Sequence, residues 1–285
     1  MEATDTTEKG LESLLVNWLV NHNGYEQGHS HDFNTEYALD TARLFRFLKN
    51  TQPDAVKKLQ LETNPQKTAQ FLARVRDEIT KRGIVDVLRK GIKAYPASLI
   101  MFYMTPSANN PAAAALHAKN IFSVTRQLHF SPDATKLSLD LCIFVNGLPV
   151  ITFELKNQLT KQNADDAVYQ YQHDRNPKEL LFQFTRCMVH FAVDDAQAKF
   201  CTKLDGKSSW FLPFNKGVRA QGASHETRAG NPERRDGIAT AYMWEEILTK
   251  DAIFSLIYDF VYYARNHRTN KKKDETPIFP RFQQY

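Results

Sequence analysis

The 285-residue chain contains only three cysteines, Cys142, Cys187 and Cys201, an odd number at spacings that match no zinc site. Neither a disulfide framework nor a structural zinc can organise the fold, and a reducing cytoplasm is the simplest setting. No basic leader with an apolar stretch precedes Leu14, which argues against a secretory signal. Apolar runs such as Ile253-Phe254-Ser255-Leu256-Ile257 stop far short of the roughly 20 residues that a membrane span needs. There is no internal repeat and no strong excess of charge: a formal +5 with pI near 8.9 permits a polyanionic partner without demanding one. A G-x-x-x-x-G-K-[ST] phosphate loop is also missing. Gly206-Lys207-Ser208 supplies its last three positions, but Cys201 stands where the first glycine belongs, so ATP hydrolysis is not expected of this segment.

With 42% hydrophobic and 24% charged residues, the composition is that of a globular protein able to bury a sizeable core. Leu11, Leu14, Leu15, Trp18 and Leu19 recur at helical spacing over 10–22, and further helices are predicted at 37–49, as a pair over 66–93, at 163–175 and at 241–264. Strands are predicted for SLIMFYM (98–104), for the alternating stretch 120–130, for LLFQF (180–184) and for CMVHFAV (187–193). Residues 107–119 read as an alanine-rich connection and 215–237 as a long mobile loop. Helices, strands, helix, strands and helix in that order indicate an α/β or α+β domain with a mixed sheet.

Residues 137–156 carry the chemistry. Leu137, Leu139, Leu141, Ile143 and Val145 are odd-numbered, and Asp140 is even; Ile151, Phe153 and Leu155 are odd, and Thr152, Glu154 and Lys156 even. Each strand thus has one apolar and one polar face. Asn146-Gly147 invites a two-residue type I′ turn, but that turn would set Val145 opposite Leu148 and Asp140 opposite Phe153, splitting the apolar face. The pattern therefore predicts a three-residue loop with Gly147 in a left-handed bulge position. Asp140 then lies opposite Thr152 or Glu154, with the two carboxylates at most about 8 Å apart between backbones and Lys156 on the same face. Two acids so close repel unless a cation separates them, and Mg²⁺ favours one or two carboxylates plus waters and phosphate oxygens. A lysine beside them can orient or deprotonate water and stabilise charge on a phosphate, which is hydrolytic chemistry on a phosphodiester. An E-x-K triplet arises roughly once by chance in a chain of this composition. Its weight comes from the matching parity of Asp140, the strands around it and the helix that follows. The structural alternative is a solvent-facing ion pair on an edge hairpin.

This arrangement resembles the PD-(D/E)xK nuclease superfamily, in which an acid on one strand and an E-x-K on its hairpin partner form a metal site. The resemblance assigns Asp140, Glu154 and Lys156 to catalysis, with Asp140 and Glu154 as metal ligands. Seven stretches, in order, resemble the N-terminal region of the R subunit, the motor and endonuclease subunit of type I restriction enzymes. They are the helix bearing Glu12, ALDTARLFRFLKNTQP (38–53), NIFSVTRQL (120–128), FVNGLPVITFELKN (144–157), QYQHDR (170–175), FLPFNKG (211–217) and YMWEEIL (242–248). The resemblance implies a mixed β-sheet flanked by helices around a restriction-endonuclease-like core, and Mg²⁺-dependent cleavage of double-stranded DNA. In the complete subunit that activity would be coupled to ATP-driven translocation, ATP binding only to the motor. Methyltransferase and specificity subunits would be its partners, in the cytoplasm and away from membranes. The family often adds a Q-x-x-x-Y on the next helix: Gln170 matches its first position and is taken as a site residue, but Asp174 stands in place of the tyrosine. Glu12 would be an accessory acid.

Phe279-Pro280-Arg281-Phe282-Gln283-Gln284 resembles the Phe-Pro-Arg-Tyr-His-Gln with which the motor opens. The expected organisation is an endonuclease domain over 1–262, made of a helical N-terminal region over 1–95, a sheet core 96–214, the loop 215–237 and a helix 241–264. A linker over 263–285 would lead to an absent motor. The alternatives are a non-catalytic module that docks DNA or a subunit, and a repair nuclease of the same superfamily. In the basic loop, Lys216, Arg219, Arg228, Arg234 and Arg235 are candidate DNA contacts. Arg265, Arg268 and Lys271 to Lys273 form either a phosphate contact or a solvated linker. Gly28-His29-Ser30-His31-Asp32 reads as a surface turn before a metal site, and no Ser/His/Asp arrangement stands out.

Overall fold

The computed structural model describes residues 8–107, 109–157, 161–218, 230–264 and 276–284. Helix α1 (Glu8–Asn21) leads to strand β1 (Glu26–Gly28) and a small hairpin, β2 (Phe33–Asn34) and β3 (Leu39–Asp40). Helices α2 (Thr41–Thr51), α3 (Pro53–Lys58), α4 (Pro65–Arg82) and α5 (Ile84–Lys90) follow. Their ends are written locally: the Asp40 carboxylate accepts from the Arg43 amide to start α2, Asn64 caps α4 ahead of Pro65, and Gly83, at φ +84, separates α4 from α5. A second small hairpin, β4 (Ile92–Ala94) and β5 (Ala97–Leu99), precedes α6 (Pro111–His117). Then come β6 (Phe122–His129), β7 (Ser138–Val145), β8 (Leu148–Leu155), α7 (Ala164–His173), β9 (Val189–Val193), β10 (Ala198–Cys201) and β11 (Leu212–Pro213). Helix α8 (Lys250–Ser255) and the pair β12 (Tyr262–Ala264) and β13 (Thr276–Ile278) complete the described elements.

The main sheet runs β1-β6-β7-β8-β9-β10-β11 and is mixed: β1 and β6 are parallel, as are β8 and β9, and the other neighbours are antiparallel. It is an α/β fold with the sheet flanked by helices, and β7 and β8 lie at its centre, not at an edge. One face, with Leu141, Ile143, Ile151, Phe153 and Phe191, joins α1, α2, α4, α5 and the C-terminal helical segment in one core. The other, with Cys142, Phe144 and Ala192, packs under α7 through Ala167 and Tyr171, with Leu181 and Phe182 beside them. Both faces are covered, which is why every residue of β8 is buried.

The β7–β8 connection corrects the three-residue loop expected above. Val145 pairs with Leu148 around a two-residue turn, with Asn146 at φ +52 and Gly147 at φ +82. The parity is repaired further along: Phe144 pairs with Pro149 but Ile143 with Ile151, so Val150 is the extra residue of a bulge. The turn is buried, because the Asn146 side chain donates to Met101 O at 2.9 Å and Asn120 Oδ1 at 3.0 Å and accepts from the Ile121 amide at 2.7 Å. A longer loop would have no room there: Gly147 O accepts from the Asp40 amide, and a Cβ on Gly147 would lie 2.3 Å from Asp40 O.

Four other readings change. Of SLIMFYM only Ser98 and Leu99 belong to a strand, β5; Met101 and Phe102 are buried in irregular backbone whose polar groups are taken up by the side chains of Asn120 and Asn146. LLFQF is a 3₁₀ turn, Leu180–Phe182, whose apolar residues cap the α7-side core: Phe182 packs edge-on to Phe130 and Tyr171. The single helix at 241–264 is instead a π-turn (Met243–Ile247), α8 restarted by the Thr249 cap, a second π-turn (Leu256–Phe260) and β12. Residues 111–117 of the alanine-rich connection are helical, with Asn110 capping Pro111.

Gly147→Ala combines a positive φ with a backbone clash, so it should lower stability by at least about 2 kcal/mol in urea denaturation.

Candidate active site

Asp140 lies near the start of β7 and Glu154 near the end of β8. The last pair of their ladder is Leu141 with Phe153, and continuing that register sets Asp140 opposite Glu154. On the other side, Gln127 of β6 falls opposite Asp140, between the pairs Arg126–Leu141 and Leu128–Leu139. Glu154 in turn pairs with Ala192 of β9. One row across the sheet therefore reads Gln127, Asp140, Glu154, Ala192, and Lys156 follows two residues beyond Glu154, buried like both acids. Gln127 has φ +45 and interrupts the pleat. Leu139 accordingly packs in the α7-side core, apart from Leu141 in the other. The uniform apolar face read from odd-numbered residues therefore stops at Asp140.

Each acid is held by specific donors. Asp140 Oδ2 accepts from the Leu155 amide at 2.7 Å, and Oδ1 takes a longer 3.4 Å contact from Gln127 Nε2. Glu154 is wholly buried; its Oε1 accepts from Arg175 Nε at 2.5 Å, and its Oε2 has no hydrogen-bond partner. Burial first, and the facing charge of Asp140 second, push the Glu154 carboxyl well above the usual carboxylate range, against the pull of Arg175. Arg175 offsets part of this, and a proton or a bound cation would offset the rest. Two facing carboxylates, one with a buried oxygen lacking any donor, fit a hard divalent ion that takes one or two protein carboxylates. Among the described residues no cluster of three or more His, Cys, Asp or Glu is arranged to hold a metal. The pair would supply two ligands only.

Glu12 is buried on α1, where it accepts from Arg126 Nε and, at 2.8 Å, from the same Gln127 Nε2 that reaches Asp140. One amide thus links the two acids. Gln170 is half-buried on α7, but the residues of that segment that reach the polar face are Tyr171 and Arg175. Asp174 is the exposed C-cap of α7. Thr152 Oγ1, one row from Glu154, hydrogen-bonds to Tyr171 OH at 2.8 Å and His190 Nδ1 at 2.7 Å, and burial pushes His190 down to about 3, so its imidazole is neutral. Arg175, Gln127, Tyr171 and His190 were not anticipated as site residues. Arg175 ends the QYQHDR stretch and Gln127 lies in NIFSVTRQL, but neither shows from sequence which strand it will face.

In the basic loop, Lys216 Nζ pairs with Glu246 at 2.5 Å, and Arg234 pairs with Glu245 and Asp236, so their charge is largely offset. Arg235 is exposed. Arg219 and Arg228, and Arg265, Arg268 and Lys271 to Lys273, lie outside the described residues. His29 and His31 stack with ring centroids 5.2 Å apart beside a 3₁₀ turn whose Asp32 is paired with Arg43. All three cysteines are free and buried, and among the described residues no helix is long and apolar enough to cross a membrane.

The family model for the N terminus of the type I restriction enzyme R protein matches residues 5–209, more than half of the chain. No curated protein matches it.

Replacing Arg175 by methionine leaves Glu154 buried without its cation, which should cost about 3–5 kcal/mol near neutral pH. A carboxyl whose folded pKa is raised loses stability as pH rises through that pKa. The Arg175→Met deficit should therefore shrink as pH is lowered and Glu154 takes up a proton, as urea denaturation at several pH values will show.

Proposed function

The chain belongs to the family of type I restriction enzyme R protein N termini, and from that membership we propose that Asp140, Glu154 and Lys156 form a Mg²⁺-dependent endonuclease centre acting on double-stranded DNA. The observation that carries this reading is the fully buried Glu154, one oxygen fixed by Arg175 and the other without a donor, opposite a second acid. An unpaired buried carboxylate oxygen is costly, and a cation bound between the two acids would offset that cost.

Asp140 and Glu154 would hold the ion. When bound, Mg²⁺ lowers the pKa of water and offsets charge on the phosphate. The Leu155 amide and Gln127 orient Asp140, and Arg175 fixes one edge of Glu154. Lys156 can hold a proton of the attacking water or donate to a phosphate oxygen as charge builds there. Gln170, half-buried on α7, is the remaining proposed site residue, and Glu12 supports Asp140 through Gln127 more directly than as a ligand. Arg235 is exposed and forms no ion pair among the described residues, which makes it better suited to a DNA contact than the paired Lys216 and Arg234. In the complete subunit the centre would act in the cytoplasm on DNA moved by an ATP-driven motor. Methyltransferase and specificity subunits would supply the site recognition.

In the complete enzyme, Asp140→Asn, Glu154→Gln and Lys156→Ala should each lower double-strand cleavage by about 10²-fold or more while DNA-dependent ATP hydrolysis continues. Wild-type cleavage by Asp140→Asn or Lys156→Ala would instead assign this region a docking role.

A further inference from the structure

A second polar site is built on elements other than those of the acid pair. Helices α4 and α5 and strand β12 enclose a cavity of about 440 Å³ lined by Lys81, Arg82, Asp86, Arg89, Lys90 and Tyr262, among others. Gly83, between the two helices, lies against Thr185, and the Ile84 amide donates to Thr185 O, four residues before β9. Glu154 lies against Ala192, near the other end of that strand.

The two arginines here are held at several points, and the cations outnumber the acids. Arg82 is fixed at three points, by Glu78 at 2.7 Å, Asp86 at 2.5 Å and Gly91 O at 2.6 Å. Arg89 donates from Nε to Ile257 O at 2.5 Å and from Nη2 to Tyr258 O and Val261 O, which closes the last π-turn. Its Nη1 makes no hydrogen bond among the described residues. Lys90 shares Asp86 with Arg82, and Lys81 forms no ion pair among the described residues. Around the cavity four cations, Lys81, Arg82, Arg89 and Lys90, thus meet three acids, Asp86, Glu78 and Asp259, the last acting on Arg89. A guanidinium edge fixed by carbonyls and left with free donors loses little entropy on meeting a planar or tetrahedral anion. Beside it the Tyr262 ring is 51% exposed and offers a stacking face.

We propose that this cavity binds the phosphate of a nucleotide unit, with Tyr262 against the base. The unit can belong to a nucleic-acid strand or to a free nucleotide, and the two share this chemistry. The site is independent of the hydrolytic centre proposed above.

The test titrates inorganic phosphate, AMP and an oligothymidylate into the 285-residue chain at constant ionic strength, with thermal unfolding as the readout. Each should raise the unfolding temperature saturably, AMP and the oligonucleotide at lower concentration than phosphate. Tighter binding of the oligonucleotide identifies a strand as the natural ligand; tighter binding of AMP identifies a free nucleotide. Lys81→Glu combined with Lys90→Glu, both at exposed positions, should weaken all three by at least about tenfold. Tyr262→Ala should weaken AMP and the oligonucleotide but not phosphate. Equal stabilisation by chloride, or unchanged titrations in the double variant, would overturn the proposal.

Discussion

Two carboxylates set opposite each other at the centre of a sheet, one of them wholly removed from water, form the constraint to which much of this chain responds. An isolated ionised acid in such a place would take up a proton or unfold the region. Here the compensation comes from several elements at once. Arg175, beyond the end of α7, reaches Glu154, and its Nη2 is steadied by Ser138 O at 2.8 Å and its plane by the Phe130 ring. Asp140 takes a backbone amide of the neighbouring strand and the side chain of Gln127, which Ser138 and Glu12 hold in turn. Five segments therefore share one electrostatic problem. Arg175 satisfies one oxygen of Glu154 and leaves the other, Oε2, without a donor.

The other end of the hairpin fixes where the acids fall. A tight Asn-Gly turn is favoured locally because both residues accept positive φ, and it is enforced tertiarily because Asp40 and Leu44 press on Gly147. Left alone, that turn would send Glu154 to the wrong face. The bulge at Val150 restores the alternation, so the facing of Asp140 and Glu154 results from a turn and a bulge acting together. Bulges increase local twist, and this one lies four residues before Glu154, on the strand that carries it.

How far the sequence discloses this follows from the range of each signal. Period-two alternation reported the faces of β8 correctly from Ile151 onward, beyond the bulge, where Ile151, Phe153 and Leu155 enter one core and Thr152 and Glu154 face the other way. It failed at Leu139, where a positive φ on the neighbouring strand, invisible in β7 itself, ends the regular pleat. Helix α7 was legible from Asn163 and its acidic first turn because a capping box is local chemistry. LLFQF misled because two adjacent buried residues carry no period, and a short apolar run can serve a strand or a core-capping turn. The odd-length loop was inferred from a sound rule about register. What the rule lacked was the buried contact set of Asn146, which comes from residues 25 to 45 positions away.

The departure from the family's Q-x-x-x-Y pattern can be read in the same terms. At Asp174 the chain ends α7, its amide closing on Gln170 O, and the side chain is exposed to water where a tyrosine would have been expected to support the site. Two neighbours reach the polar face of the sheet instead. Tyr171, three residues earlier and on the sheet-facing side of the helix, places its hydroxyl on Thr152 beside neutral His190. Arg175, one residue later, turns back from the helix end to Glu154. Ending the helix at Asp174 is what permits this: a continuing helix would carry residue 175 about 100° around from 174 on the same axis, whereas a chain released from the helix can fold its guanidinium under the sheet. The helix terminus, more than the identity of residue 174, therefore sets which charge meets the buried acid.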